Sequence, residues 1–128
     1  MSQRTYSKRS WLVELVDEFV PEFQRLPKPV RLELLAQARR LARFGPGLGR
    51  PAVDTLAGSR HANMKELRFR ADDGIWRVAF AFDPCRIAVL LAAGDKSGAS
   101  GSRFYRRLVA TADRRLDRHL NQQHEREE

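Results

Sequence analysis

The chain has 128 residues, 42% of them hydrophobic, which is typical of one globular domain with a modest buried core. Its 24 lysines and arginines outnumber 16 acidic residues, and the net charge of +8 favours a polyanionic or acidic partner. No apolar run approaches the roughly 20 residues that cross a bilayer, so we expect no membrane association. The polar N-terminal residues lack the features of a secretory signal, and a single cysteine cannot form an internal disulfide. We therefore expect a cytoplasmic protein.

The first half of the chain predicts one strand and two helices. Residues 1–9 are polar and are expected to be flexible. Trp11–Val16 is rich in residues that favour strands. Asp17 is a candidate N-cap for a short helix with apolar residues at helical spacing, which ends at Pro27. Pro29–Phe44 carries an apolar stripe and predicts a second helix, so that the two helices form a hairpin that packs on the sheet.

A loop and a central β-hairpin follow. Residues 45–63 contain four glycines and two prolines and predict a connecting loop, with a short apolar anchor at Val53–Leu56. Met64–Phe82 contains two runs of alternating residues on either side of Asp-Asp-Gly, which is a hairpin signal. Arg77 lies on the same face as two alanines, leaving room for a ligand that an arginine could bind, such as a phosphate. An ordinary solvated face is the alternative.

The last third predicts one strand and one helix. Ile87–Ala93 is apolar throughout, residues 94–101 form a polar glycine-rich loop, and residues 102–122 have the apolar period of a helix. Residues 123–128 are expected to fray. This order of elements predicts a single α+β domain over residues 1–128, with a mainly antiparallel four-stranded sheet, the N-terminal helical hairpin on one face, and a C-terminal helix.

The sequence offers no signal for a metal or cofactor. The three histidines are scattered, and no histidine or cysteine pair has the spacing of zinc ligands. Asp117 and His119 are expected on a solvated side of the last helix. No nucleophile elbow is present.

Basic and aromatic residues form the one constellation with chemical potential. Antiparallel pairing of the hairpin would bring Glu66, Arg68 and Arg70 beside Arg77, with Lys96, Arg103 and Tyr105 at one end of that face. Fixed positive charge would stabilise a phosphorane-like transition state, and a phenol whose pKa the arginines lower could exchange a proton with a ribose hydroxyl. These parts suit RNA cleavage by attack of the 2′-hydroxyl, and simple packing of Tyr105 on the sheet is the alternative.

Four motifs together resemble the phage-derived branch of the RelE/HigB toxin family. They are Met64–Phe69 (MKELRF), Trp76–Pro84 (WRVAFAFDP), Gly94–Gly98 (GDKSG) and Arg103–Tyr105 (RFY), and the resemblance covers about residues 11–120. It implies the toxin of a type II toxin–antitoxin system, a metal-independent mRNA interferase that acts on the ribosome and inhibits translation. It also implies a cognate antitoxin, HigA-like and with a helix-turn-helix domain, and no cofactor.

The resemblance also implies roles for individual residues. By position, Arg77 matches the family's arginine at the scissile phosphate, and Arg68 matches a basic residue on the preceding strand. Lys96 lies near the family's basic general acid, and Tyr105 lies near the tyrosine that acts as the base in RelE. Glu66 stands where RelE prefers lysine, and the loop before Tyr105 is longer than in RelE. The remaining expected RNA contacts are Lys65, Glu66, Arg70, Arg103, Arg106 and Arg107.

Two alternatives share the predicted fold. A ParE-like toxin would bind DNA gyrase and would not cut RNA. A catalytically inactive phage-derived protein would only bind nucleic acid or an antitoxin, with an affinity that falls steeply as salt rises.

Overall fold

A computed structural model describes residues 10–98 and 100–127, and the expectation for residues 1–9 lies outside this range. The described residues form five strands, three α-helices and one turn of 3-10 helix (Gly45–Gly47). In chain order the strands and α-helices are β1 (Leu12–Leu15), α1 (Phe19–Arg25), α2 (Lys28–Phe44), β2 (Val53–Thr55), β3 (Lys65–Ala71), β4 (Gly74–Phe82), β5 (Ile87–Asp95) and α3 (Gly101–Glu127).

The strands form one mixed sheet in the order β1-β5-β4-β3-β2. β1 runs parallel to β5, and the other neighbours are antiparallel. The prediction of an α+β fold with a C-terminal helix is confirmed, but the prediction of a mainly antiparallel four-stranded sheet is wrong. The fifth strand is β2, which lies where the sequence predicts a connecting loop. It pairs Val53 with Leu67 and Thr55 with Lys65. Three residues between glycines and prolines are too few to show a strand period.

The central hairpin has the predicted position and a two-residue turn. Ala71 pairs with Gly74, and between them Asp72 and Asp73 adopt left-handed backbone angles with φ of 51° and 60°. Two such residues suit the right-handed twist of the flanking strands, and aspartate tolerates this conformation better than most side chains. The register places Arg68 opposite Arg77 and Glu66 opposite Ala79.

The helices cover both faces of the sheet. On the face of Phe80 and Phe82, Trp11 contacts the ring of Phe82 at 4.7 Å between centroids and donates its backbone N–H to Ala42 of α2, so α2 lies on this side. On the face of Ala79 and Ala81, α3 contacts β4 and β5. Both alanines are fully buried. The expectation of an open face beside Arg77 is therefore wrong, because the small side chains accommodate α3 and not a ligand.

Polar contacts fix the C-terminal half of α3. The carboxylate of Asp83 accepts hydrogen bonds from the backbone N–H groups of Cys85 and Ile87, from Gln123 at 2.6 Å, and it pairs with Nε2 of His119 at 2.9 Å. His119 is therefore not the solvated residue expected, and the helix extends past the predicted end at residue 122. None of the described helices has the length and apolarity required to cross a membrane.

Arg115 joins α3 to α1 and to the sheet. Its guanidinium donates to the Leu91 carbonyl at 2.8 Å and to both carboxylate oxygens of Glu22, at 2.9 and 2.5 Å. The pairing of β4 with β5 skips Leu91 at a register shift typical of a β-bulge, and Arg115 is a donor to the Leu91 carbonyl. The hydrogen bond to Arg115 lowers the pKa of Glu22 below its ordinary value.

We expect Arg115→Met to lower the free energy of unfolding by about 2 kcal/mol, because the bulged carbonyl loses its donor to a side chain that cannot hydrogen-bond. Glu22→Gln should cost under about 1 kcal/mol, since the Glu22 side chain is 41% exposed and the ion pair is screened by water. Urea unfolding of both variants measures the two costs. Equal losses would contradict the role given to the carbonyl.

Candidate functional site

Three predicted site residues meet where β3, β4 and α3 come together. The Tyr105 hydroxyl donates to Oε1 of Glu66 at 2.9 Å, and Nε of Arg77 donates to the Tyr105 oxygen at 3.2 Å. Nε of Arg77 lies 3.6 Å from the same Glu66 oxygen. Nη1 of Arg77 donates to the Trp76 carbonyl at 3.0 Å. We call these three side chains the Glu66–Tyr105–Arg77 cluster.

The cluster is assembled by register and by close packing. Glu66 and Arg77 share the α3 face of the hairpin because they occupy alternating positions on paired strands. Arg77 pairs with Gly94 on β5, and a Cβ on Gly94 would lie 2.7 Å from the ring of Phe104. The glycine therefore lets the first turn of α3 approach the sheet and brings Tyr105 over Arg77.

Burial dominates the electrostatics of the cluster. The Glu66 and Arg77 side chains are 9% and 8% exposed. Burial raises the pKa of Glu66 above its ordinary value, against the opposing effects of the Tyr105 hydrogen bond and of the charges on Arg77 and Arg68. Burial also raises the pKa of Tyr105, and Glu66 raises it further, while Arg77 opposes this shift. The expectation that arginines lower the pKa of this phenol is therefore wrong: Tyr105 is a neutral hydrogen-bond donor.

Lys96 and Arg68 border the cluster. Nζ of Lys96 lies 5.4 Å from the centre of the Tyr105 ring, within the range of a cation–π contact. Its backbone N–H donates to the Ile75 carbonyl at 2.7 Å, which holds the loop after β5 against β4. Arg68 lies opposite Arg77, but its Nη1 is 3.7 Å from a carboxylate oxygen of Asp54 on β2. Asp54 was not among the predicted site residues because β2 itself was not predicted.

The other expected RNA contacts are divided between two faces. Arg70, Arg103, Arg106 and Arg107 are exposed, and no described carboxylate pairs with them. Lys65 lies opposite Phe80, on the face that α2 covers and away from the cluster. Glu66 is buried and lies inside the site. The structure therefore brings together Glu66, Arg77, Lys96 and Tyr105, while Arg103, Arg106 and Arg107 are exposed on α3.

A cleft of about 450 Å³ opens between α3 and the end of β5, and none of the three cluster residues lines it. Four arginines line it (Arg103, Arg107, Arg114 and Arg115) against two carboxylates, Glu22 and Asp95, so it offers an excess of positive charge next to Phe104. Such a combination suits a single-stranded nucleic acid, whose phosphates pair with arginine and whose bases stack on rings. No group of three or more potential metal ligands occurs among the described residues.

Sequence comparison relates the chain to toxins. The model of the phage-derived Gp49-like family matches residues 21–117. A protein of Mycobacterium tuberculosis assigned as toxin HigB2 is 48% identical over 79 residues, which is 61% of this chain and 39% of that protein. A second one, assigned as toxin HigB3, is 48% identical over 80 residues, or 62% of this chain and 68% of that protein. The matched region thus spans about two fifths of HigB2.

Structural comparison gives the fold. A variant of Escherichia coli toxin RelE in the free state superposes with a TM-score of 0.57 at 11% identity, covering 79% of this chain and 95% of RelE. A chain of the archaeal RelE–RelB complex from Pyrococcus horikoshii superposes with a TM-score of 0.51 at 20% identity, covering 70% of this chain and 99% of that chain. The chain therefore belongs to the phage-derived Gp49-like toxin family, is homologous to the toxins HigB2 and HigB3, and has a RelE-like fold.

Proposed function

We propose that this protein is the toxin of a toxin–antitoxin pair and that it stops translation by cutting mRNA on the ribosome. Membership of the Gp49-like family and the HigB relatives support the toxin role. The observation that carries the nuclease proposal is the Glu66–Tyr105–Arg77 cluster, in which an arginine, a phenol and a carboxylate with a raised pKa are hydrogen-bonded in a row beside Lys96.

The proposed reaction needs only these side chains. The 2′-oxygen of the ribose attacks the adjacent phosphorus, and the bond from phosphorus to the 5′-oxygen breaks, leaving a 2′,3′-cyclic phosphate and a 5′-hydroxyl. Tyr105 accepts the proton of the 2′-hydroxyl while it passes its own proton to Glu66, and Lys96 donates a proton to the departing 5′-oxygen. Arg77 stabilises the charge that develops on the phosphate oxygens.

The charge distribution supports the proposed partners. A net charge of +8 and the exposed arginines of α3 suit the phosphate backbone of mRNA and of ribosomal RNA in the cytoplasm. The same charge suits an acidic antitoxin, which we expect to be encoded by the adjacent gene and to carry a HigA-like helix-turn-helix domain. One of the structural neighbours is a chain of the RelE–RelB complex of Pyrococcus horikoshii.

Induced expression tests this proposal. We expect growth arrest, new mRNA 5′ ends within translated regions, and relief of both when the product of the adjacent gene is co-expressed. Glu14→Gln is the matched control because Glu14 is an exposed residue of β1 and its change alters the net charge without touching the cluster. Arrest without new mRNA ends, or arrest with inhibited DNA supercoiling, would contradict the nuclease proposal.

One observation favours a second candidate, a protein that binds RNA or an antitoxin without cutting. Arg77 is only 7% exposed, and its Nε and Nη1 already have hydrogen-bond partners in the free chain. Hydrogen bonds from Nε and Nη1 to other residues of the same chain are typical of a structural arginine. This candidate predicts no growth arrest, together with RNA binding that weakens steeply as salt rises.

A further inference from the structure

The guanidinium of Arg77 is only partly used. Nε faces Tyr105 and Glu66, and Nη1 faces the Trp76 carbonyl, but no described residue accepts a hydrogen bond from Nη2. Arginine has five donors in a planar fork, and a phosphate is its usual bidentate partner. Nη2 therefore remains available to a phosphate oxygen, whereas the charge of the guanidinium is already balanced by the carboxylate 3.6 Å from Nε.

The arginines of this region fall into two groups. The two arginines on the sheet each have a carboxylate partner. Nε of Arg77 lies 3.6 Å from Oε1 of Glu66, and Nη1 of Arg68 lies 3.7 Å from Oδ2 of Asp54. Arg103 and Arg107, on the surface of α3, have no carboxylate partner among the described residues. Close carboxylates cancel most of the field of a guanidinium, and the cancellation is stronger for a buried pair because water screens it less.

We propose that Glu66 competes with the RNA phosphate for Arg77, so that the free protein holds this arginine neutralised until a phosphate backbone replaces the carboxylate. In this competition Glu66 acts on RNA through Arg77, which is separate from its proposed role as the acceptor of the proton from Tyr105. This inference rests on the proposed function for its substrate. A single phosphate ion cannot readily displace a buried carboxylate, but a strand already held by the exposed arginines of α3 presents its phosphate at high effective concentration. The competition thus favours a polyanion over small anions.

Binding of RNA that cannot be cut tests the competition without involving catalysis. The probe is a short fluorescent 2′-O-methyl oligoribonucleotide, which lacks the attacking hydroxyl, and its affinity for the isolated protein is measured by anisotropy over a range of salt. Glu66→Gln should bind it about tenfold more tightly, because one charge-assisted contact is gained. The slope of log affinity against log salt should become steeper by about 0.7, the contribution of one further neutralised phosphate on a single strand.

Two controls separate this effect from a general change of charge. Glu14→Gln removes the same charge from an exposed position on β1, at the opposite edge of the sheet from β2, and should leave the slope unchanged. In the double variant Glu66→Gln/Arg77→Gln, the gain of the single variant should disappear. An unchanged slope in Glu66→Gln, or a gain that persists in the double variant, would overturn the proposal.

A pH series on the unmodified protein tests the proposal without any substitution. Glu66 is faced by Arg77 on β4, Tyr105 on α3, Arg68 on β3 and Asp54 on β2, and burial raises its pKa, so it is protonated at a higher pH than an ordinary carboxylate. Protonation removes the competitor. Affinity should therefore rise as pH falls through the raised pKa of Glu66, and by more than in Glu66→Gln, which lacks this carboxylate.

The outcomes distinguish this inference from the proposed function. If the slope and the pH series change as expected while induced cells show no mRNA cleavage, the competition at Arg77 stands and the nuclease proposal fails. If cells show cleavage but Glu66→Gln binds the probe as the unmodified protein does at every pH, the nuclease proposal stands and the competition is overturned.

Discussion

Replacing Arg77 by glutamine should reduce mRNA cleavage on the ribosome by about a hundredfold to a thousandfold. The proposed reaction places the developing negative charge of the phosphate beside this guanidinium, in a site where burial excludes much of the water. Loss of one preorganised donor to such a charge has an effect of this size in other enzymes. Primer extension on a defined mRNA in a purified translation system measures the rate of cleavage.

The folding cost of this change must be measured beside the activity. Arg77→Gln leaves the Glu66 carboxylate buried without its cation, which we expect to cost up to about 3 kcal/mol at neutral pH. The double variant Glu66→Gln/Arg77→Gln removes the buried charge and should recover most of that stability. It should not recover cleavage. If cleavage returned together with stability, Arg77 would be a structural residue and the binding-only candidate would be favoured.

The elements with a strong local period were predictable from the sequence. The β3–β4 hairpin follows from alternating residues around two aspartates, and α2 follows from its apolar stripe and from Gly45 at its end. β2 was missed because its three residues carry no period, and its pairing with β3 is decided by the tertiary structure. The parallel position of β1 depends on where α1 and α2 carry the chain, which no local pattern specifies.

The composition of the site was predictable, but its burial was not. Arg77, Lys96 and Tyr105 do come together, as the pairing of the strands and the motifs indicated. The wrong prediction was that the sheet face of Ala79 and Ala81 is open to a ligand, whereas α3 covers it. Small residues on a strand indicate a close approach, and they do not say whether the approaching group is a ligand or a helix of the same chain. Gly94, which accommodates Phe104, was the available signal for the helix.

The burial of Glu66 changes the chemical interpretation of the site. A glutamate on a strand of a basic protein was expected to be an exposed RNA contact, since charged residues are seldom buried unless paired. Here it is paired twice, with Tyr105 and with Arg77. Its burial extends the expected role of Tyr105: burial and Glu66 keep the phenol neutral, so the proposed reaction passes the proton through Tyr105 to the Glu66 carboxylate, and Lys96 keeps its proposed role as the acid.

The substitution Tyr105→Phe should lower the rate of mRNA cleavage by about a hundredfold, because it removes the hydroxyl that links the 2′-hydroxyl to Glu66. The fold should be retained, since the ring still contacts Phe104 and Lys96. Without the hydroxyl, Arg77 is the remaining partner of Glu66 in the cluster. A Tm of the Tyr105→Phe variant close to that of the unmodified protein would confirm that the packing of the ring is retained.

The pH dependence of cleavage identifies the proton acceptor. Glu66 accepts a proton only as a carboxylate, so the rate should rise with pH through its folded-state pKa, which lies above the ordinary value of 4.5 because of burial. Binding of the uncleavable RNA should change in the opposite direction, since the carboxylate competes with phosphate. Tyr105→Phe should abolish the rise in rate while leaving the pH dependence of binding. A rate profile that keeps its acidic limb in Tyr105→Phe would exclude the path from the 2′-hydroxyl through Tyr105 to Glu66.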